Sequence, residues 1–99
     1  MKSGFEIYWT EHALFELNET FEYLENEFSS KELQKLSIQI KLVTELISNN
    51  PELFPASEYR EIRRAVIMKF NTLYYRIKDE KIEVISFYHN RKNPENKKF

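Results

Sequence analysis

Arginine, tyrosine and histidine recur through the last third of this chain, and these residue types can grip an anion, stack on a base and move a proton. Arg60, Arg63 and Arg64 precede an apolar run, Tyr74, Tyr75 and Arg76 follow it, and Tyr88, His89 and Arg91 close the series before Pro94. A guanidinium holds a carboxylate or phosphate through two parallel N–H donors. A tyrosine ring stacks on an unpaired base, and an imidazole exchanges a proton near neutral pH. The residues recur at strand spacing, so neighbouring strands can gather them onto one surface. Charge follows the same division. Residues 1–55 carry four lysines against ten acids, a net of −6, and residues 56–99 carry eleven bases against six acids, a net of +5. The total of −1 therefore conceals a dipolar molecule. Its basic half is expected to meet something acidic, either nucleic acid or an acidic protein segment.

Other chemistries find little support. The chain has no cysteine, which excludes disulfide and thiol chemistry and fits a reducing cytosol. Its two histidines, His12 and His89, are too far apart to give metal-ligand spacing, so no metal and no cofactor are expected. His12 falls in the first turn of a helix, where a solvated or partner-facing position is the plain reading. No apolar run reaches signal or membrane length, so a cytoplasmic protein without a membrane partner is expected. With 99 residues, 15% of them aromatic, and a single glycine, one folded domain over 1–99 is expected. Residues 90–99 read as a partly ordered basic tail.

The elements that must position these residues follow from periodicity. Phe5-Glu6-Ile7-Tyr8-Trp9 suits a short first strand. Thr10 then caps a helix whose apolar residues, Leu14, Leu17, Phe21, Leu24 and Phe28, fall at alternating steps of three and four and form one stripe. Its glutamates, Glu11, Glu16, Glu19, Glu22, Glu25 and Glu27, read as a solvated face. Ser29 with Glu32 makes a capping box for a second helix, with a stripe of Leu33, Leu36, Ile40, Val43 and Ile47. That helix should stop at Asn49-Asn50-Pro51, because proline disfavours helical geometry in the residue before it. After a proline-flanked loop, residues 61–70, 72–78 and 81–89 read as three strands. Asp79-Glu80 is short enough for a tight hairpin, although it lacks the favoured glycine. The expectation is an α+β fold of β-α-α-β-β-β order, with an antiparallel sheet packed against a helical hairpin.

Alternation then assigns faces. Arg63 and Arg64 point to opposite sides of a regular strand, with one paired to a helix glutamate and the other solvated in the plainer reading. Leu73, Tyr75 and Ile77 share the more apolar side, so Tyr75 is expected in the core and Tyr74 and Arg76 in solvent. The plainer reading of His89 is a strand-end histidine bonded to the loop that follows.

With this order in hand, the chain resembles the RelE/ParE superfamily of bacterial toxins from type II toxin–antitoxin systems. The resemblance spans about Ile7 to Pro94. It rests on Trp9-Thr10-Glu11-His12-Ala13, Tyr23-Leu24, Leu46-Ile47-Ser48-Asn49-Asn50-Pro51, Ile62-Arg63-Arg64-Ala65-Val66, Leu73-Tyr74-Tyr75-Arg76 and the run from Phe87 to Pro94. It implies a growth-inhibiting cytoplasmic toxin, of the kind associated with plasmid stabilisation, held by a cognate antitoxin in a hetero-oligomer. The antitoxin would wrap the helices and the sheet edge, with Tyr8, Trp9 and the exposed tyrosines as aromatic anchors.

Two branches of the superfamily differ in target. RelE-like toxins cut messenger RNA on the ribosome, and ParE-like toxins inhibit DNA gyrase without a nuclease site. His89-x-Arg91-x-x-Pro94 resembles the ParE side. The acidic first helix and the near-neutral total also suit a protein target better than the decoding centre. The favoured reading is gyrase inhibition by binding, through Arg63, Arg64, Tyr74, Arg76, His89 and Arg91. In the alternative, an endoribonuclease acting on the ribosome and messenger RNA, His89, Arg64, Arg91 and Tyr88 would form the site. A third reading is a non-toxic relic that still binds antitoxin.

Overall fold

The computed structural model describes residues 4–90, and the order of elements is the expected one. Strand β1 (Glu6–Trp9) leads into helices α1 (Glu11–Glu27) and α2 (Ser30–Asn49), then strands β2 (Arg63–Ile67), β3 (Asn71–Lys78) and β4 (Lys81–His89). Both helices start where their caps stand. Thr10 is extended, and its Oγ1 accepts from the Ala13 amide at 3.1 Å. The Ser29 hydroxyl accepts from the Glu32 amide at 3.4 Å. α2 ends at Asn49, and Asn50 leaves helical geometry ahead of Pro51.

The four strands form one sheet in the order β1-β4-β3-β2. β2, β3 and β4 are antiparallel neighbours, but β1 runs parallel to β4. The sheet is therefore mixed rather than wholly antiparallel. The helical hairpin imposes this: α1 and α2 cross the sheet and return before β2, leaving β1 beside the last strand. Asp79 and Glu80 form the expected two-residue turn, with Lys78 and Lys81 paired across it. Asp79 takes φ 57°, supplying the left-handed residue that glycine would otherwise provide. β2 is shorter than expected, because Glu61 sits at φ 62° and Met68 and Lys69 at φ 54° and 75°, all outside strand geometry.

The core lies between the sheet and the two helices. Ala13 and Leu24 of α1 and Leu36, Ile40 and Ile47 of α2 meet Ala65, Ile67, Leu73, Tyr75, Ile82, Val84 and Phe87. The stripe of α2 is the expected one. That of α1 is rotated: Ala13, Thr20 and Leu24 are buried, Leu17 and Phe21 pack at the margin, and Leu14 is 45% exposed. Phe28 is also largely exposed, at the turn between the helices. An alanine and a threonine at the closest approach let α1 lie near β4, a proximity that larger side chains would prevent. Small residues carry no hydrophobic signal, so the sequence pattern favoured Leu14 over Ala13.

Candidate functional site

The candidate residues do not form one cluster. Arg63 is half-buried, and its Nη1 donates to the carbonyl oxygens of Phe54 at 2.7 Å and Glu52 at 3.5 Å. It ties down the loop after α2 and meets no helix glutamate. Arg64, its neighbour, is exposed on the other side of β2, level with Tyr74 of β3. Arg76 is exposed as expected, and its Nε donates to Glu83 Oε1 on the adjacent strand at 2.6 Å. Exposed pairs of this kind contribute little to stability. Arg91 lies outside the described residues, as does the tail beyond Asn90.

The tyrosines depart further from expectation. Tyr75 is in the core as expected, and its hydroxyl donates to the Pro51 carbonyl at 2.7 Å. Burial pushes its phenol above the ordinary tyrosine range, opposed by the Arg63 guanidinium and by a backbone hydrogen bond at Phe54. Tyr74, expected in solvent, is 1% exposed. The ring of Tyr59, on the loop between α2 and β2, lies edge-on to it at 5.8 Å. Alternation correctly placed Tyr74 off the helix side of the sheet, but could not reveal that the loop covers it. Tyr88 is buried too, and its hydroxyl has no hydrogen-bond partner among the described residues.

His89 is the residue on which the two target classes turn, and it is 4% exposed. Its Nδ1 is hydrogen-bonded to Asn71 Oδ1, directly across the ladder on β3. Asn71 Nδ2 donates in turn to the Ile67 carbonyl at 3.0 Å. The imidazole ring is 5.4 Å from that of Tyr23 on α1. The plain reading of a bonded strand-end histidine stands, but Asn71 is on another strand and not in the following loop. His89 and Asn71 line a cleft of about 190 Å³ with Leu24, Leu36, Met68 and Phe70 and with the charged Glu32 and Lys69. Arg64 and Arg76 are exposed on other parts of the sheet and do not line this cleft.

One residue went unnoticed among the α1 glutamates. Glu16 Oε1 accepts from the Ser86 hydroxyl at 2.6 Å and from the Phe87 amide at 2.9 Å, with His12 Nε2 3.4 Å away. The other glutamates at 11, 22, 25 and 27 are exposed. The signal available in the sequence was position. Glu16 lies three residues after Ala13 and four before Thr20, on the face that approaches the sheet. Among the described residues, no group of three or more acidic or histidine side chains is placed to hold a metal ion. No helix among them is long and apolar enough to cross a membrane.

Sequence comparison decides the family. Residues 7–94 match the family described as ParE toxin of type II toxin-antitoxin system, parDE. The chain belongs to the ParE toxin family. Among solved structures, the ParE-family chain is similar to one from the chromosomal ParDE system of P. aeruginosa. That match has 17% identity and TM-score 0.70, over 86% of this chain and 95% of that one. It is also similar to a chain of the E. coli DinJ-YafQ toxin–antitoxin complex, at 14% identity and TM-score 0.59, over 89% and 94% of the two chains. A conserved hypothetical protein of Helicobacter pylori matches at 13% identity and TM-score 0.56, over 88% and 96%. At these identities the structural likeness shows the fold. Among curated proteins none matches the ParE-family chain.

Proposed function

We propose that this ParE-family protein is a cytoplasmic toxin that inhibits DNA gyrase by binding it and is neutralised by a cognate antitoxin. The observation that carries this reading is the setting of His89. Metal-free RNA cleavage needs a base at the 2′-hydroxyl, an acid at the leaving oxygen and cations over the phosphate. A histidine 4% exposed, held between Asn71 and Tyr23 and away from Arg64 and Arg76, is poorly placed for that work, although Glu32 and Lys69 line the cleft beside it. The exposed Arg64 and Arg76 are instead suited to an acidic protein surface.

Neutralisation by an antitoxin draws support from the structural relatives, two of which come from ParDE and DinJ-YafQ systems. It draws support also from α2, where Ile38, Leu42 and Leu46 are each about half exposed at four-residue spacing. Such a ridge suits the apolar face of a partner segment. The test is a plasmid supercoiling assay with purified gyrase, run beside messenger RNA cleavage in a translation extract. Inhibition of supercoiling without cleavage is expected. Cleavage without inhibition would favour the nuclease reading, and neither activity would leave an antitoxin-binding relic.

A further inference from the structure

We propose that Glu16 is a positioning residue: it fixes the phase of the last strand, and so decides that His89 turns toward the helices and Tyr88 away from them. The inference concerns which side chains β4 presents, and it holds whether or not gyrase is the target.

Side chains alternate along a strand. Counting from buried Ile82 and Val84, regular alternation would carry Ser86 and Tyr88 to the helix side and leave Phe87 and His89 on the other. From Phe87 onward the opposite is found, while the Ser86 hydroxyl still reaches α1. Phe87 joins the core, and the His89 ring lies against Tyr23 of α1. The phase changes through one extra residue. Tyr75 pairs with Val84 while Tyr74 pairs with Ser86, so Ile85 has no counterpart on β3. Such a bulge reverses the facing of every residue that follows it.

A bulge also leaves backbone groups without ladder partners, and these must be satisfied elsewhere. Here the start of α1 supplies them. β1 pairs with β4 only as far as Val84, and the Thr10 amide donates to the Val84 carbonyl at 3.1 Å. The Thr10 hydroxyl donates to the Ile85 carbonyl at 3.2 Å. Glu16 then accepts from both Ser86 Oγ and Phe87 N, the first two residues past the bulge. Its side chain is only 16% exposed, and Ser86 is fully buried, so water cannot easily replace these bonds. Without the carboxylate two donors lose their acceptor, and the unbulged register, which frees His89 from Asn71 and Tyr23, gains population.

Diethyl pyrocarbonate, which acylates accessible imidazoles, reads this directly when modification is resolved by peptide mass spectrometry. In the wild-type protein His89 should react at least about tenfold more slowly than free N-acetylhistidine, as a residue protected by structure does. Glu16→Leu should bring His89 to within about threefold of that reference. Glu16→Gln keeps an oxygen acceptor and should match wild type. A folded Glu16→Leu protein with His89 still protected would overturn the proposal, as would Glu16→Gln behaving like Glu16→Leu. Should Glu16→Leu not fold, amide exchange in the wild-type protein decides. The Phe87 amide should exchange at least about 100-fold more slowly than in an unstructured chain. Unprotected exchange there would overturn it.

Discussion

His89 and Asn71 are Cα partners across β3 and β4, and their side chains are hydrogen-bonded, Nδ1 to Oδ1, within the buried end of the sheet. Asn71 also bonds the Ile67 carbonyl, so it links the end of β4 to the end of β2. An amide oxygen can only accept, which makes Nδ1 the protonated nitrogen of this pair. Through Asn71 the histidine thereby ties together the ends of β4, β3 and β2.

Removing the amide should therefore destabilise the fold. Asn71→Ala leaves a buried imidazole nitrogen without its acceptor, at a cost of about 1–3 kcal/mol. Urea unfolding should show this loss. Arg64→Ala, on an exposed side chain, should stay within about 0.5 kcal/mol of wild type.

The rotated stripe of α1 makes a second contrast. Leu36→Ala, at a fully buried position, should cost about 2–5 kcal/mol. Leu14→Ala, at a position 45% exposed, should cost under about 1 kcal/mol, because little apolar area returns to water. Equal losses at the two positions in thermal or urea unfolding would contradict the packing described.

These two cases also mark what was legible in the sequence. The caps Thr10 and Ser29, the stop before Pro51, the stripe of α2 and the hairpin at Asp79-Glu80 were all readable, because each depends on a few adjacent residues. What failed depends on contacts distant in the chain. Ala13 and Thr20 are buried because α1 approaches β4 closely, and Tyr74 because a loop folds over it. Glu16 looked like one of six solvated glutamates until the bulge at Ile85 gave it two donors. The inward turn of His89 depends on that same bulge, which alternation cannot anticipate. The expected site consequently divides, with Arg64 in solvent, Arg76 exposed but paired with Glu83, and Arg63, Tyr74 and His89 held by the structure.

Stability should fall on the alkaline side through Tyr75. Its folded pKa is raised by burial, while the unfolded value is about 10. A group raised on folding contributes its full stability below the unfolded pKa and loses it as pH rises through the folded one. Wild-type stability should thus decline from about pH 10 upward. Tyr75→Phe should be weaker at neutral pH by about 0.5–1.5 kcal/mol, for the lost bond to Pro51, yet decline less steeply above pH 10. Chemical unfolding across that range tests both parts.

The hairpin offers a stabilising change. Asp79 occupies the left-handed region at the first loop position, where glycine meets no steric penalty. Asp79→Gly should raise stability by about 0.5–1 kcal/mol, allowing for the entropy that glycine loses on folding. A rise in the thermal midpoint is the expected readout.

We propose that this toxin acts by binding gyrase and not by chemistry at His89. This reading is tested most directly by titrating purified wild-type and His89→Gln protein into a gyrase supercoiling reaction. Both should inhibit supercoiling, with His89→Gln weaker by no more than about tenfold, since one polar contact is worth about 0.5–1.5 kcal/mol. Supercoiling unaffected by wild-type protein, together with ribosome-dependent messenger RNA cleavage that His89→Gln abolishes while still folded, would contradict it.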